Sequence, residues 1–285
     1  MSNPHFGPLR HAGRPSRDHE TRPMNEAIKA ALSKVPEVTL GFWLIKIIAT
    51  TLGETGGDAV TMSLLHADRN ANNGGYLIGT GIFLAIFVAA VAAQIAEKKF
   101  NAWNYWIAIV ASTTVGTTMA DFADRSLGIG YAGGSSLLLG LLVASLAIWR
   151  WSEGTVSVAT VATPRVEAFY WVTILFSQTL GTALGDWMAD TNALGFGDGA
   201  LVFAAAIAVV AALYYLTDLS RVLLFWVAFI LTRPLGATVG DLLDKPHASG
   251  GLALSRFYAS AVLIVSMLAL IVLLPQRPGR HPANG

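Results

Sequence analysis

Residues 177–186 read SQTLGTALGD, and three other stretches repeat the pattern: ATTLGETGGD at 49–58, STTVGTTMAD at 112–121 and TRPLGATVGD at 232–241. In every copy a tryptophan stands ten residues before the central glycine and an aspartate five residues after it. The four sets are Trp43/Gly53/Asp58, Trp106/Gly116/Asp121, Trp171/Gly181/Asp186 and Trp226/Gly236/Asp241. Identical spacing four times makes the chain a fourfold internal repeat. The acid of the signature lies within an apolar segment, where an ionisable side chain is costly and reads as functional by default.

Around these stretches the composition is that of a membrane protein. Of 285 residues, 54% are hydrophobic and only 13% charged, against about 25% charged in a soluble domain. Apolar runs at 77–96, 137–149, 201–216 and 252–274 suit a bilayer better than a soluble core. The expected fold is therefore all-α, a polytopic transmembrane bundle of about eight helices built from four parallel helical-hairpin repeats. A soluble all-α protein is the alternative. The spans fall in pairs at 37–60 and 75–96, 103–122 and 131–150, 166–189 and 198–216, and 219–241 and 252–274.

The corresponding organisation is a basic, largely disordered tail over 1–35 with a short surface helix at 24–33, a transmembrane domain over 36–276, and a second tail over 277–285. The repeats occupy about 36–97, 98–151, 164–217 and 219–275. Thirteen Lys and Arg fall on the side of the two termini and four on the other, so the positive-inside rule places both termini in the cytoplasm. Trp43, Trp106, Trp171 and Trp226 would then be interface anchors, with each repeated Asp about 22 Å deeper at the helical rise. The small residues before each Asp suit close backbone approach.

Each repeat carries a second acid in helical register with its neighbour, giving Glu54/Asp58, Asp121/Asp124, Asp186/Asp190 and Asp241/Asp244. Acids three or four residues apart share a helix face, and like charges this close need cations to offset them. With oxygen donors alone and no cysteine, the expected metal ligands are these eight acids and the expected ion is hard and divalent, Mn²⁺-like. Thr50, Thr51, Thr114, Thr117, Gln178, Thr179 and Thr182 would add neutral oxygens. Lys46 either snorkels at the interface or serves as counter-ion to an acid on another helix. Arg233, which replaces Thr or Gln of the other repeats, is expected as an internal counter-charge or as one half of a structural ion pair, with a kink at Pro234.

The segment 34–63, KVPEVTLGFWLIKIIATTLGETGGDAVTMS, resembles the opening of a bacterial polytopic family described only as membrane-anchored proteins. The resemblance extends over roughly 34–275 and implies a multi-pass protein of the bacterial inner membrane, with no assigned activity. The acid-bearing repeats are similar in type to manganese and calcium exporters with a Glu-x-Gly-Asp signature. GETGGD departs from that signature, because an extra residue separates its acids and no basic residue follows the Asp.

The leading expectation is an integral membrane transporter of a hard divalent cation, with export of a Mn²⁺-like ion its sharpest form. The bilayer and the metal cation are its partners; nucleic acid is not, and a homo-oligomer stays open. No cofactor is required, the metal being substrate. Alternatives are a cation channel with a pseudo-fourfold acidic ring and a scaffold or sensor that moves nothing. A third is an intramembrane aspartyl protease, from the GxGD string at 195–198. Without its usual partner motifs that string is weak, and an enzyme is not expected.

Overall fold

The computed structural model describes residues 33–67, 74–123, 130–191 and 194–279, with backbone alone at 190 and 191. Eight long helices account for most of them: α1 (Leu40–Asp58), α2 (Gly75–Ala96), α3 (Ala102–Asp121), α4 (Gly130–Glu153), α5 (Pro164–Thr191), α6 (Gly195–Leu216), α7 (Arg221–Asp244) and α8 (Arg256–Leu273). No strand occurs among the described residues; the sole bridge joins Pro36 to Pro278. Three of the odd helices begin at side-chain caps. Thr39 accepts from the Phe42 amide at the start of α1, and Asn101 accepts from Trp103 and Asn104 at the start of α3. Ser220 accepts from Leu223 at the start of α7.

The odd helices form a closed ring in which α1 packs on α3, α3 on α5, α5 on α7 and α7 back on α1. The even helices lie outside it. Each runs along the odd helix of the following repeat: α2 on α3, α4 on α5 and α6 on α7, while α8 closes the circle on α1. This corrects the expectation of four self-packed hairpins. The links at 97–101 and 217–220 are short, so the helices they join become antiparallel neighbours. The two helices of one repeat touch each other far less than they touch the neighbouring repeat, so every repeat leans on the next.

Glycine sets the ring spacing. A methyl group added at Gly53 would meet Thr113, at Gly116 it would meet Gln178, at Gly181 Arg233, and at Gly236 Thr50, each within 2.8 Å. Each repeated glycine thus receives the side chain that lies three residues before the glycine of the next repeat, and the fourth copy returns to the first. A second small residue follows four positions later: Gly57, Ala120, Gly185 and Gly240. Gly57 abuts Thr117, Gly185 abuts Ala237, and Gly240 abuts Glu54. These small-xxx-small ridges allow the backbones to approach closely.

Five helices, α2, α4, α6, α7 and α8, are long and apolar enough to cross a membrane. Their outer surfaces expose Leu77, Ile82, Leu137, Val143, Leu201, Val209, Val262 and Val265, far more apolar area than a water-soluble monomer leaves uncovered. The other three long helices are less apolar. Helices α1, α3 and α5 carry Thr, Ser, Gln and acids on faces turned into the ring, and shielding by the outer helices removes the need for an apolar sequence.

The described chain ends meet at one end of the bundle, where Glu37 donates to the Arg277 carbonyl (2.9 Å) and Gly279 to that of Val35 (2.8 Å). Beside them Lys34 forms a buried ion pair with Glu167 (2.6 Å) and donates to the Ile95 carbonyl (3.1 Å). The basic tail and its surface helix at 24–33 fall almost wholly outside the described residues. Helix α7 runs without interruption through Pro234.

Candidate functional site

Every fourth residue of each odd helix, from an aromatic ring to the repeated aspartate, is buried. The ladders are Phe42, Lys46, Thr50, Glu54 and Asp58 in α1; Tyr105, Ile109, Thr113, Thr117 and Asp121 in α3; Tyr170, Ile174, Gln178, Thr182 and Asp186 in α5; and Phe225, Phe229, Arg233, Ala237 and Asp241 in α7. The repeat brings equivalent rungs to the same level. Polarity therefore grades along the ring, from an aromatic layer through an apolar layer with one lysine, then Thr, Gln and Arg, then two hydroxyls, an alanine and a glutamate, to four aspartates.

The aromatic end is closed. Phe42 packs on Tyr105 and Phe225, with ring centroids 6.5 and 6.4 Å apart. The Tyr105 and Tyr170 hydroxyls share a hydrogen bond of 2.7 Å. Each of these four residues directly precedes a repeated tryptophan. Trp106, Trp171 and Trp226 are buried in the same aromatic cluster and Trp43 is half-buried against it. This corrects the reading of Trp106, Trp171 and Trp226 as interface anchors: these three are core residues, and Trp226 Nε1 donates to the Val156 carbonyl (2.9 Å).

Arg233 occupies the middle of the ring. Its guanidinium is fully buried and reaches all three other odd helices. It donates to Glu54 Oε2 (2.8 Å) and the Thr50 carbonyl (3.3 Å) on α1, to Thr117 Oγ1 (2.6 Å) on α3, and to Thr182 Oγ1 on α5. Arg233 thus stands in a buried ion pair, and its acid is Glu54. Lys46 is fully buried, which rules out snorkelling, and its contacts are not with an acid. Its ammonium donates to Thr232 Oγ1 (3.3 Å) and lies 4.2 Å over the Phe229 ring.

The acids gather most closely between α1 and α7. Glu54, Asp58 and Asp241 each place a carboxylate oxygen within 4.8 Å of the others, and all three are buried. Lys245, just past the end of α7, sets its ammonium between Asp58 and Asp241, 3.0 Å from Asp241 Oδ1. Asp58 Oδ1, on the other side of that carboxylate, has no hydrogen-bond partner. Next to the trio the buried Asp244 pairs with Arg256 Nε (3.2 Å). A π-helical turn over Ala59–Leu64 follows Asp58 directly and carries Met62 to Lys245 (Sδ to Nζ 3.8 Å). Such turns recur at functional sites.

Asp121 and Asp186 are buried at the equivalent positions of α3 and α5 but stand outside the 4.8 Å group. Asp124 and the Asp190 side chain lie outside the described residues. Three of the expected neutral ligands are spent elsewhere: Thr51, Thr114 and Thr179 each donate to the carbonyl four residues back in their own helix. Thr50 and Thr113 share their hydroxyl between the carbonyl three residues back (2.8 Å each) and a neighbouring helix, where it meets the Thr232 and Ala49 carbonyls (3.1 Å each). The Gln178 amide, in the same layer, is fully buried without a hydrogen-bond partner. Sequence reasoning missed Lys245 and Arg256 as site residues, because they lie beyond the repeated signature. Asp198 of the GxGD string is exposed in the first turn of α6, where an acid complements the helix dipole.

A closed ring of four repeat-related helices, graded from an aromatic end to a carboxylate end, defines a pseudo-fourfold helical repeat protein. The chain belongs to the family known as Repeat of Unknown Function (DUF347), which it matches four times, at residues 41–100, 104–155, 169–220 and 224–275. Each match holds one Trp–Gly–Asp set. No curated protein and no solved structure matches the chain.

Proposed function

We propose that this protein is an integral membrane transporter of a hard divalent cation, Mn²⁺-like in its ligand preference, with both termini cytoplasmic. The observation that carries the reading is the buried trio Glu54, Asp58 and Asp241, whose carboxylate oxygens lie within 4.8 Å of one another. An all-oxygen donor set in a chain without cysteine favours Mg²⁺, Ca²⁺ or Mn²⁺ over softer ions. The five apolar helices and the exposed apolar surface of the outer ring support a membrane setting for this trio, and buried acids in that setting mark ion pathways.

The same geometry favours a transporter over an open channel. Arg233 plugs the middle of the ring and the Phe42/Tyr105/Tyr170/Phe225 layer closes one end, so passage requires the helices to rearrange. Asp121 and Asp186, one repeat further round, are the acids to which a bound ion passes as they do.

Asp58→Asn and Asp241→Asn test the reading. Both are expected to lose the cation tolerance or accumulation phenotype that the unaltered protein confers in cells, and to retain less metal on purification. Unchanged behaviour of both across Mn, Mg, Ca, Fe, Co and Ni overturns it.

A further inference from the structure

The acid trio already holds a cation, and that cation belongs to the chain. We infer that Lys245 is a tethered surrogate for the transported ion, which occupies the site when the ion is absent and must be displaced for the ion to bind. The inference rests on the divalent-cation reading above and deepens it.

Charge is the first support. Glu54, Asp58 and Asp241 carry three negative charges when ionised, and Arg233 offsets one of them through its pair with Glu54. What remains matches one divalent cation. The Lys245 ammonium, between Asp58 and Asp241, offsets half of it. Within the trio a monovalent group leaves one carboxylate charge unmatched, which an ion of charge two would match.

Position is the second. Arg233 is fully buried in mid-helix and bonded to three other helices, so it cannot leave. Lys245 is different. It follows the last residue of α7, and its side chain is 13% exposed. Its backbone is pinned: its amide donates to the Asp241 carbonyl (2.9 Å) and its carbonyl accepts from the Ala253 amide (2.9 Å). Only the four-carbon stem has to swing for the ammonium to reach water, and lysine is a flexible carrier of a compact charge. The third support is Asp58 Oδ1, buried and without a hydrogen-bond partner. Lys245 satisfies one oxygen of that carboxylate, whereas a metal ion takes ligands from several directions at once.

The role predicts competition between lysine and ion. In purified protein titrated with Mn²⁺, Lys245→Met is expected to bind about tenfold more tightly or better, the size that couplings between close charges give. Transport by the variant is expected to fall, because release from the site loses its competitor. Binding by both proteins with no gain in Lys245→Met overturns the inference and leaves the transport reading standing. Binding by neither overturns both. Should Lys245→Met not fold, the unaltered protein supplies the test through lysine acylation read by mass spectrometry. Saturating Mn²⁺ is expected to raise labelling of Lys245, and labelling that is unchanged or reduced overturns the surrogate role.

Discussion

Arg233 on α7 and Glu54 on α1 form an ion pair of 2.8 Å with both side chains out of reach of solvent. Each breaks the fourfold pattern at its own level. Arg233 stands where the other repeats carry Thr50, Thr113 and Gln178, and Glu54 where they carry Thr117, Thr182 and Ala237. The two departures compensate each other across one helix–helix contact. A symmetric ring of four Thr and four small residues would need neither.

Removing one partner strands the other in a buried setting, a change that costs about 3–5 kcal/mol. Arg233→Met is therefore expected to lower the thermal stability of the purified protein strongly, and Glu54→Leu to do the same. The double variant is expected to recover much of the loss, because no charge is left uncompensated. Midpoints of thermal unfolding for the four proteins complete the cycle, and additive losses would show that the pair is not coupled.

The glycine ring gives a prediction with an internal control. An added methyl at Gly53 lies 2.2 Å from Thr113 Oγ1, whereas at Gly56, three residues on, it meets nothing within 4 Å. Overpacking of this kind costs about 1–3 kcal/mol. Gly53→Ala and Gly236→Ala are expected to reduce folded yield and unfolding midpoint in detergent. Gly56→Ala is expected to match the unaltered protein or exceed it, since alanine favours the helix.

The sequence made the ring legible only in part. Repeat spacing alone located Gly53, Gly116, Gly181 and Gly236, the eight helices and the counter-charge at Arg233. It did not show which helix leans on which, because an apolar face states that it is covered and not by what. The ladder from Phe42 to Asp58 was present as a run of every fourth residue. So was the aromatic residue before each tryptophan, which assigns Trp106, Trp171 and Trp226 to a core and not to an interface. Lys245 and Arg256 were beyond reach, since neither belongs to the repeated signature and the Lys245–Asp58 contact exists only once α7 and α1 meet.

If the acid trio is the site, Asp198 is dispensable. It is exposed at the start of α6, on the outer ring of helices, whereas an aspartyl protease built on the GxGD string depends on that carboxylate. Asp198→Asn is expected to leave both the metal phenotype and metal retention unchanged. A loss comparable to that of Asp58→Asn would move the functional centre away from the ring axis.

The Tyr105–Tyr170 hydroxyl pair closes the aromatic end, and its energetics separate a seal from a working group. Both rings are fully buried and their hydroxyls lie 2.7 Å apart, with one donating and the other accepting. Tyr105→Phe leaves the Tyr170 hydroxyl without this partner, as Tyr170→Phe does for Tyr105, and an unpaired buried hydroxyl costs about 1–3 kcal/mol. Each single variant is expected to lower the unfolding midpoint. The double variant removes both polar groups at constant ring packing, so its midpoint is expected to lie above those of the singles. If the layer is purely a seal, cation handling in the double variant remains intact. Loss of transport at preserved stability would place the hydroxyl pair on the path of the ion.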